Sequence, residues 1–448
     1  MLRRISVASL AVIAPLLASA TAFAAGPCDL YATGGTPCIA AHSTVRALFD
    51  AYSGSLYQVR RSSDNTMKDI GVLAPGGAAN SADQDKFCTG TTCVITKVYD
   101  QSGKGNFMEY QGPGSSVTGS AAAAVATTEK FSLAGQNVYS LYIKPGNTYW
   151  RDGHLTGVPT GAEPEGMYMV TSGKHFNGGC CFDYGNSETT RKADAAGAMD
   201  AIYFGSSCWF NDASHPNYKC TTGSGPWVEA DLEWGLFASN SSTTWNSKSV
   251  SFTSTYVTAM LKNNGTTRMA LKGGNAQTGG LTTVWDGALP YSKMVKQGAI
   301  VLGSGGDCCR VGGGVNQSEG TFYEGAIVYG YPTDAVDSAV HANIVGAGYG
   351  SAKSSILEKE GIRSTVSVRF HRAGRIAVID WNQDASGLVE IDVVDLRGNR
   401  VATLAHGLME AGSHRISWPT GSKHNGIHFV RLRTTGRGDW KTKPLLVD

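Results

Sequence analysis

Trp227-Val-Glu-Ala-Asp-Leu-Glu-Trp234 changes side-chain character with a period of two. Successive side chains of an extended chain leave opposite faces. Val228, Ala230 and Leu232 therefore share an apolar face, and Glu229, Asp231 and Glu233 line the other. The pattern predicts a half-buried strand from Trp227 to Phe237. Similar segments recur on both sides of it: Ser55 to Arg60, Thr92 to Val98, Val138 to Ile143, Gly166 to Val170, Ser249 to Leu261, Ala299 to Leu302 and Thr321 to Tyr329. Gly, Asn, Asp and Pro punctuate them. So many short strands predict an all-β chain whose main unit is a jelly-roll-like β-sandwich. Helices are predicted at Thr44 to Tyr52 and at Asp334 to Val345, the second with Thr333 as N-cap and Gly346 near its end.

Three carboxylates at roughly 7 Å steps on one strand face repel each other unless something lies among them. Such a row has three readings: a solvated sheet face, a Ca²⁺ site, or one wall of an active-site cleft. The flanking Trp227 and Trp234 favour a sugar site, because indole faces stack on sugar C–H surfaces, although Trp beside a strand also serves as plain core. A second acidic signal is Gly303-Ser-Gly-Gly-Asp307-Cys-Cys309, where a buried strand runs into a glycine-rich turn presenting one carboxyl. Glycines allow close backbone approach to a ligand; an ordinary Asp turn is the plainer alternative. Together the two signals supply a pair of acids, as glycoside hydrolysis requires: one protonates the leaving oxygen, the other attacks or activates water.

Of the 448 residues, 17% are charged, the formal net charge is +2, and there are 57 glycines. This balance carries no nucleic-acid footprint and suits a turn-rich extracellular β protein. Arg3 and Arg4 precede an apolar run, Ile5 to Ala18, and then Ala22-Phe-Ala-Ala-Gly26. That order predicts a secretory signal peptide over 1–25, and no later stretch is long and apolar enough for a membrane span. The ten cysteines (28, 38, 88, 93, 180, 181, 208, 220, 308 and 309) then read as disulfides. Cys28 with Cys38 and Cys88 with Cys93 lie near enough to pair locally. The adjacent Cys180-Cys181 and Cys308-Cys309 are open to vicinal bonds or to partners elsewhere.

Residues 351–360 read as a linker, and residues 361–448 lack cysteine. Alternation recurs there at Ser367 to Phe370, Ile376 to Ile379, Val389 to Val394, His414 to Trp418 and His428 to Leu432, with turn signals at Asp395 to Asn399 and Lys423 to Gly426. This predicts a second, small, immunoglobulin-like β-sandwich.

Long motifs between residues 26 and 350 resemble glycoside hydrolase family 54, the α-L-arabinofuranosidase B family. They include Gly26-Pro-Cys-Asp-Leu-Tyr31, Tyr99-Asp-Gln-Ser-Gly103, Glu165-Gly-Met-Tyr168, Cys180-Cys-Phe-Asp-Tyr-Gly-Asn186, Gly225-Pro-Trp227 and Gly320-Thr-Phe-Tyr-Glu-Gly325. The resemblance implies a secreted, retaining, exo-acting enzyme that releases terminal arabinofuranose from arabinan or arabinoxylan side chains without metal or cofactor. It places the nucleophile on Glu233 and the acid/base on Asp307, with carboxyls about 5–5.5 Å apart. Asp231, Trp209, Gly306, and a Cys180–Cys181 vicinal disulfide under the sugar would bind substrate, and Cys28–Cys38 and Cys88–Cys93 would be the short disulfides. Two features depart from the family pattern. Trp234-Gly235 replaces the Asn-Asn that often follows the nucleophile and touches substrate, which keeps a β-xylosidase or galactofuranosidase in view. Cys208, Cys220, Cys308 and Cys309 are additional; a Cys208–Cys220 staple and a second vicinal pair, Cys308–Cys309, would account for them. A reading of another class is a carbohydrate-binding protein with a dead site. In the tail, Val393 to Val401, Gly412 to Trp418, Gly426 to Leu432 and Lys441 to Leu446 resemble a type IX secretion sorting module, implying export and attachment at a bacterial cell surface.

Overall fold

The structure, a computed structural model, describes residues 25–110, 121–179, 181–192, 194–207, 224–241, 246–303, 318–351, 364–371, 376–383, 386–396, 398–420, 426–434 and 441–447. Two large sheets dominate it. One has seven strands, centred on Glu165–Phe176 between Gly320–Tyr329 and Val257–Asn263. The other has ten, and its end nearest the acidic motif runs Leu236–Phe237, Trp227–Asp231, Asp200–Gly205, Asp183–Ser187, Ala299–Gly303 and Thr148–Asp152. Val228, Ala230, Ile202, Phe204, Tyr184, Ile300 and Leu302 of the second sheet pack against Met167, Leu261 and Ile327 of the first. Tyr184 meets Phe322 across the layer, ring centroids 5.0 Å apart. Each such side chain removed from water contributes about 1.5–3 kcal/mol, so the apolar face of the Trp227–Asp231 strand is fixed firmly inward.

The alternation predicts most strands well, and the exceptions have local causes. The Val138 to Ile143 segment divides at Ser140: Gln136–Tyr139 pairs with Lys130–Leu133, and Leu141–Ile143 pairs with Gly320–Tyr329. The strand expected from Ser249 begins only at Val257. No helix forms over Thr44 to Tyr52. The Ser43 hydroxyl accepts the N–H groups of Val45 and Arg46, while those of Ala47 and Leu48 go to the Gly77 carbonyl and the Gln101 side chain. Side-chain and distant acceptors thereby outcompete the helical ones. The helix Asp334–Gly346 forms with Thr333 accepting from the Val336 N–H. Two short helices, Pro27–Thr33 and Ser81–Phe87, were not foreseen. The first starts where Pro27 occupies N1 and the Asp29 carboxylate accepts the Gly26 N–H at 2.7 Å. Beside it, Asn343 donates its side-chain amide to the Ala25 carbonyl at 2.7 Å.

Cys28–Cys38 and Cys88–Cys93 are bonded as the resemblance implied. Cys181 is also in a disulfide; the other described cysteines pair among themselves, so its partner lies outside the described residues. A polar cluster, buried except for Asp334, ties the helix Asp334–Gly346 to the first sheet. Lys262 Nζ lies 2.6 Å from Asp334 and 2.8 Å from Asp337, and Lys272 Nζ lies 2.7 and 2.6 Å from the same two.

Strands from 364 to 447 form two further sheets. One contains Ser364–His371, Ile376–Gln383 and Gly412–Pro419; the other contains Arg400–Met409, Gly387–Val394, Gly426–Thr434 and Lys441–Val447. Ala377, Ile379, Trp381 and Trp418 of one face Val389, Ile391, Val393, Val430 and Leu432 of the other. This is the small immunoglobulin-like sandwich, with two strands, Arg400–Met409 and Lys441–Val447, beyond those expected.

Candidate active site

Register carries the acidic residues into rows across the second sheet. Tyr203 stands opposite both Asp183 and Glu229, and Ala201 stands opposite Gly185 and Asp231. Gly185 in turn faces Val301, which faces Trp150. Between Val301 and Asp231 the row therefore carries nothing larger than the methyl of Ala201. Glu229 and Asp231 keep the common face predicted for them, but they are not solvated: their exposures are 5% and 8%, and that of Glu233 is 7%.

Glu233 itself leaves the strand. The Trp227–Asp231 strand ends at Asp231, and the chain reverses immediately, pairing Asp231 with Leu236 and Ala230 with Phe237. Glu233 and Trp234 are the two residues at the tip, with φ of 61° and 59°. Two-residue hairpins with positive φ at both positions normally use Asn-Gly or Asp-Gly. A Glu and a Trp in this region cost about 1 kcal/mol or more each. Three hydrogen bonds hold them there: the Glu233 N–H donates to Asp231 Oδ1 at 3.2 Å, the Tyr291 hydroxyl donates to the Glu233 carbonyl at 2.8 Å, and the Gly197 N–H donates to the Leu232 carbonyl at 2.8 Å. Strain maintained by surrounding bonds is a mark of functional positions. It also separates the two tryptophans, since Trp227 is buried while Trp234 is 60% exposed beside Glu233.

The electrostatics follow from burial. Desolvation, with the Asp231 charge adding to it, pushes the Glu229 carboxyl up to about 8, so it is largely protonated at neutral pH. Glu188, just past the Asp183–Ser187 strand, is fully buried and its carboxyl rises to about 6. Burial is the main cause; the Asp231 charge adds, and a side-chain hydrogen bond with Glu233 opposes. Neither Glu188 nor Tyr291 was singled out from sequence. Glu188 stands off the strand alternation, and only the register over the intervening strand brings it to Glu233.

The three-acid row pictured for Ca²⁺ is interrupted, because the strand ends at Asp231 and Glu233 stands on the reversal beyond it. Sulfur of Cys181 and carboxylates of Asp183 and Asp231 do lie within 4.8 Å of one another. The sulfur, however, is in a disulfide and offers no thiolate to a metal. Asp307, Gly306, Trp209, Cys180, Cys208, Cys220, Cys308 and Cys309 lie outside the described residues. Asp307 lies in sequence between Gly303, which stands opposite Asp183, and Ser318, whose hydroxyl donates to the Cys181 carbonyl at 3.2 Å. Both anchors of that segment thus adjoin the acidic rows. Gly235 follows Trp234 and closes the hairpin, its carbonyl accepting from the Leu232 N–H at 3.4 Å.

Residues 27–350 match the family model "Alpha-L-arabinofuranosidase B, catalytic". A protein of Aspergillus fumigatus named "Probable alpha-L-arabinofuranosidase B" is 44% identical over 84% of this chain and 72% of its own length. A Trichoderma koningii protein named "Arabinofuranosidase/B-xylosidase" is 44% identical over 80% of this chain and 70% of its own. Among solved structures, an arabinofuranosidase complexed with arabinofuranosyl-alpha-1,2-xylobiose superposes with a TM-score of 0.66 at 35% identity, covering 92% of this chain and 81% of that one.

Proposed function

The chain belongs to the α-L-arabinofuranosidase B family, glycoside hydrolase family 54, and from that premise we propose a retaining, exo-acting cleavage of terminal arabinofuranose by Glu233 and Asp307. The enzyme is a glycoside hydrolase with α-L-arabinofuranosidase activity. The observation that carries the residue assignment is the strained, hydrogen-bonded hairpin tip that offers Glu233 beside Asp231 and Glu188.

In the first step the Glu233 carboxylate attacks C1 while Asp307 gives its proton to the departing glycosidic oxygen. In the second, Asp307 takes a proton from water, whose oxygen displaces Glu233 from C1. Asp231 orients the nucleophile through the Glu233 N–H and binds sugar hydroxyls. Trp209, Gly306, Trp234, Gly235 and a Cys180–Cys181 disulfide complete the sugar site. Proton NMR of the first-formed arabinose checks this: retention of the α-anomer is expected, and initial release of the β-anomer would sink the double displacement.

Polymer preference falls on arabinoxylan side chains, supported by the arabinofuranosyl-xylobiose bound in the structural relative. A second reading, added β-xylosidase activity, is favoured by the dual name of the Trichoderma relative and by the exposed Trp234 beside the nucleophile. A panel of nitrophenyl glycosides separates the two. The division we adopt is a signal peptide over 1–25, a catalytic unit over 26–350, a linker over 351–360 and a module over 361–448. The module is proposed as a sorting device for export, with the enzyme secreted and held at the cell surface. Comparing surface-bound with free enzyme after its removal checks the role.

A further inference from the structure

The reversal that presents Glu233 is shaped from outside itself. Its own closing bond, from the Leu232 N–H to the Gly235 carbonyl, is 3.4 Å long, beyond the usual range for an N–H donor. The carbonyls of Leu232 and Glu233 find better donors elsewhere. The first accepts the Gly197 N–H and the second the Tyr291 hydroxyl, each at 2.8 Å. Both donors belong to one block, because the Gly197 carbonyl accepts the Val295 N–H at 2.8 Å. Gly197 has a φ of 79°, and a Cβ there would stand 3.3 Å from Cδ2 of the Tyr291 ring. Glycine meets both demands, the left-handed backbone and the close passage of the ring.

The block is fastened to the body of the sandwich. The Met294 N–H donates to the Gly265 carbonyl at 2.8 Å, and Lys296 and Gly161 exchange backbone bonds of 3.2 and 2.7 Å. Lys296 Nζ is buried, 2.9 Å from Glu165 and 2.6 Å from the Glu163 carbonyl. The Tyr291 ring meets Phe237 edge-on, with centroids 5.5 Å apart. Phe237 lies on the returning arm of the hairpin, opposite Ala230. One residue therefore grips both the tip, by its hydroxyl, and the returning arm, by its ring. Burial first, and the Asp231 and Glu233 charges second, hold the phenol well above its usual value, so the hydroxyl stays a donor.

We infer that Tyr291 is a positioning residue for the nucleophile: its hydroxyl, by holding the Glu233 carbonyl, fixes the positive-φ tip from which the Glu233 carboxylate is aimed at C1. The inference rests on the assignment of Glu233 as nucleophile. Glu and Trp carry no preference for the left-handed region, so the tip relaxes once its outside donor is gone. The Glu233 backbone is the pivot of its own side chain, and rotation there swings the carboxylate. Misplacing a reacting group by about 1 Å costs about 10²-fold in rate. Binding of the sugar does not depend on that aim, so the loss falls on the chemical step.

The test uses dinitrophenyl α-L-arabinofuranoside, whose leaving group departs without protonation, so kcat/KM reports attack by Glu233 free of Asp307. Tyr291→Phe removes the hydroxyl and leaves the ring against Phe237. Its kcat/KM is expected to fall about 10- to 100-fold, while the inhibition constant for L-arabinose stays within about twofold of wild type. Rates are taken well below each melting temperature and referred to folded enzyme counted by near-UV circular dichroism. Asp337→Asn, in the lysine–aspartate cluster, is the control for lost stability, and its kcat/KM is expected to stay within about twofold of wild type. The proposal is overturned if Tyr291→Phe keeps the wild-type kcat/KM, if arabinose binding weakens in step with kcat/KM, or if Asp337→Asn shows the same fall. Should Tyr291→Phe fold poorly, Gly197→Ala, which presses the ring away from the tip, carries the same expectation and the same refutation. Glu233→Ala on the same substrate tells the two ideas apart: activity there removes the nucleophile assignment, whereas an inactive Glu233→Ala beside an unimpaired Tyr291→Phe removes only the role of Tyr291.

Discussion

Two clusters of four ionisable side chains, largely buried apart from Asp334, lie at the sheets of the main sandwich, and they are built on opposite plans. In Lys262, Lys272, Asp334 and Asp337 each cation touches both anions within 2.8 Å. The two aspartates also sit in the first turn of a helix, where negative charge is favourable. In Glu188, Glu229, Asp231 and Glu233 like is gathered with like, and Asp231 raises the proton affinity of both Glu188 and Glu229. The first cluster holds a helix to a sheet. The second stores unfavourable electrostatics and backbone strain at one spot, which a fold retains where chemistry uses it.

The contrast breaks most sharply on activity. Glu233→Ala should lower kcat/KM on nitrophenyl α-L-arabinofuranoside by about 10⁴-fold or more, while Lys272→Met should leave kcat near wild type. Comparable losses from both would erase the distinction. Next is stability: Asp337→Asn leaves buried lysine charge poorly matched and should cost about 3 kcal/mol in urea unfolding. Replacing Lys272 and Asp337 together by apolar residues should recover most of that.

The acidic cluster should behave in reverse. The folded state raises the Glu229 carboxyl from 4.5 to about 8, so it binds its proton more tightly than the unfolded chain does. Stability on this account is full below pH 4.5 and is lost as pH rises through about 8. Glu229→Gln should therefore melt several degrees higher than wild type at pH 8 and equal to it at pH 4; a gap independent of pH would contradict the protonation. The smallest effect concerns the hairpin tip. Trp234→Gly relieves positive-φ strain and should add about 1 kcal/mol of stability while raising KM for arabinofuranosides. An unchanged KM would place the ring outside the sugar site.

The strands and the helix Asp334–Gly346 were legible because their patterns are local: period-two burial in Trp227–Asp231, and a Thr333 cap before the helix. The hairpin tip was not, because Glu-Trp carries none of the usual turn chemistry, and its reversal depends on bonds from Tyr291, Gly197 and Asp231. Glu188 was invisible for a related reason, since its partner lies two strands away. Lys441–Val447 hid behind Pro444, which a strand tolerates at a sheet edge; among the described residues it pairs with one strand, Gly426–Thr434. Motif resemblance implied the roles proposed for Glu233 and Asp307; alternation alone left Glu233 as one acid among three.

Where the helix Pro27–Thr33 begins, the Gly26 N–H meets the Asp29 carboxylate and the Ala25 carbonyl receives Asn343. Removal of the proposed leader is therefore also a structural decision. A scissile bond before Ala25 keeps both contacts as hydrogen bonds. A scissile bond one residue later turns the Gly26 nitrogen into an ammonium beside Asp29 and deletes the acceptor of Asn343. For anyone producing the enzyme recombinantly, a cleavable fusion that leaves Ala25 as the first residue preserves this corner, and the mature N-terminus read by mass spectrometry becomes a quality attribute of the preparation.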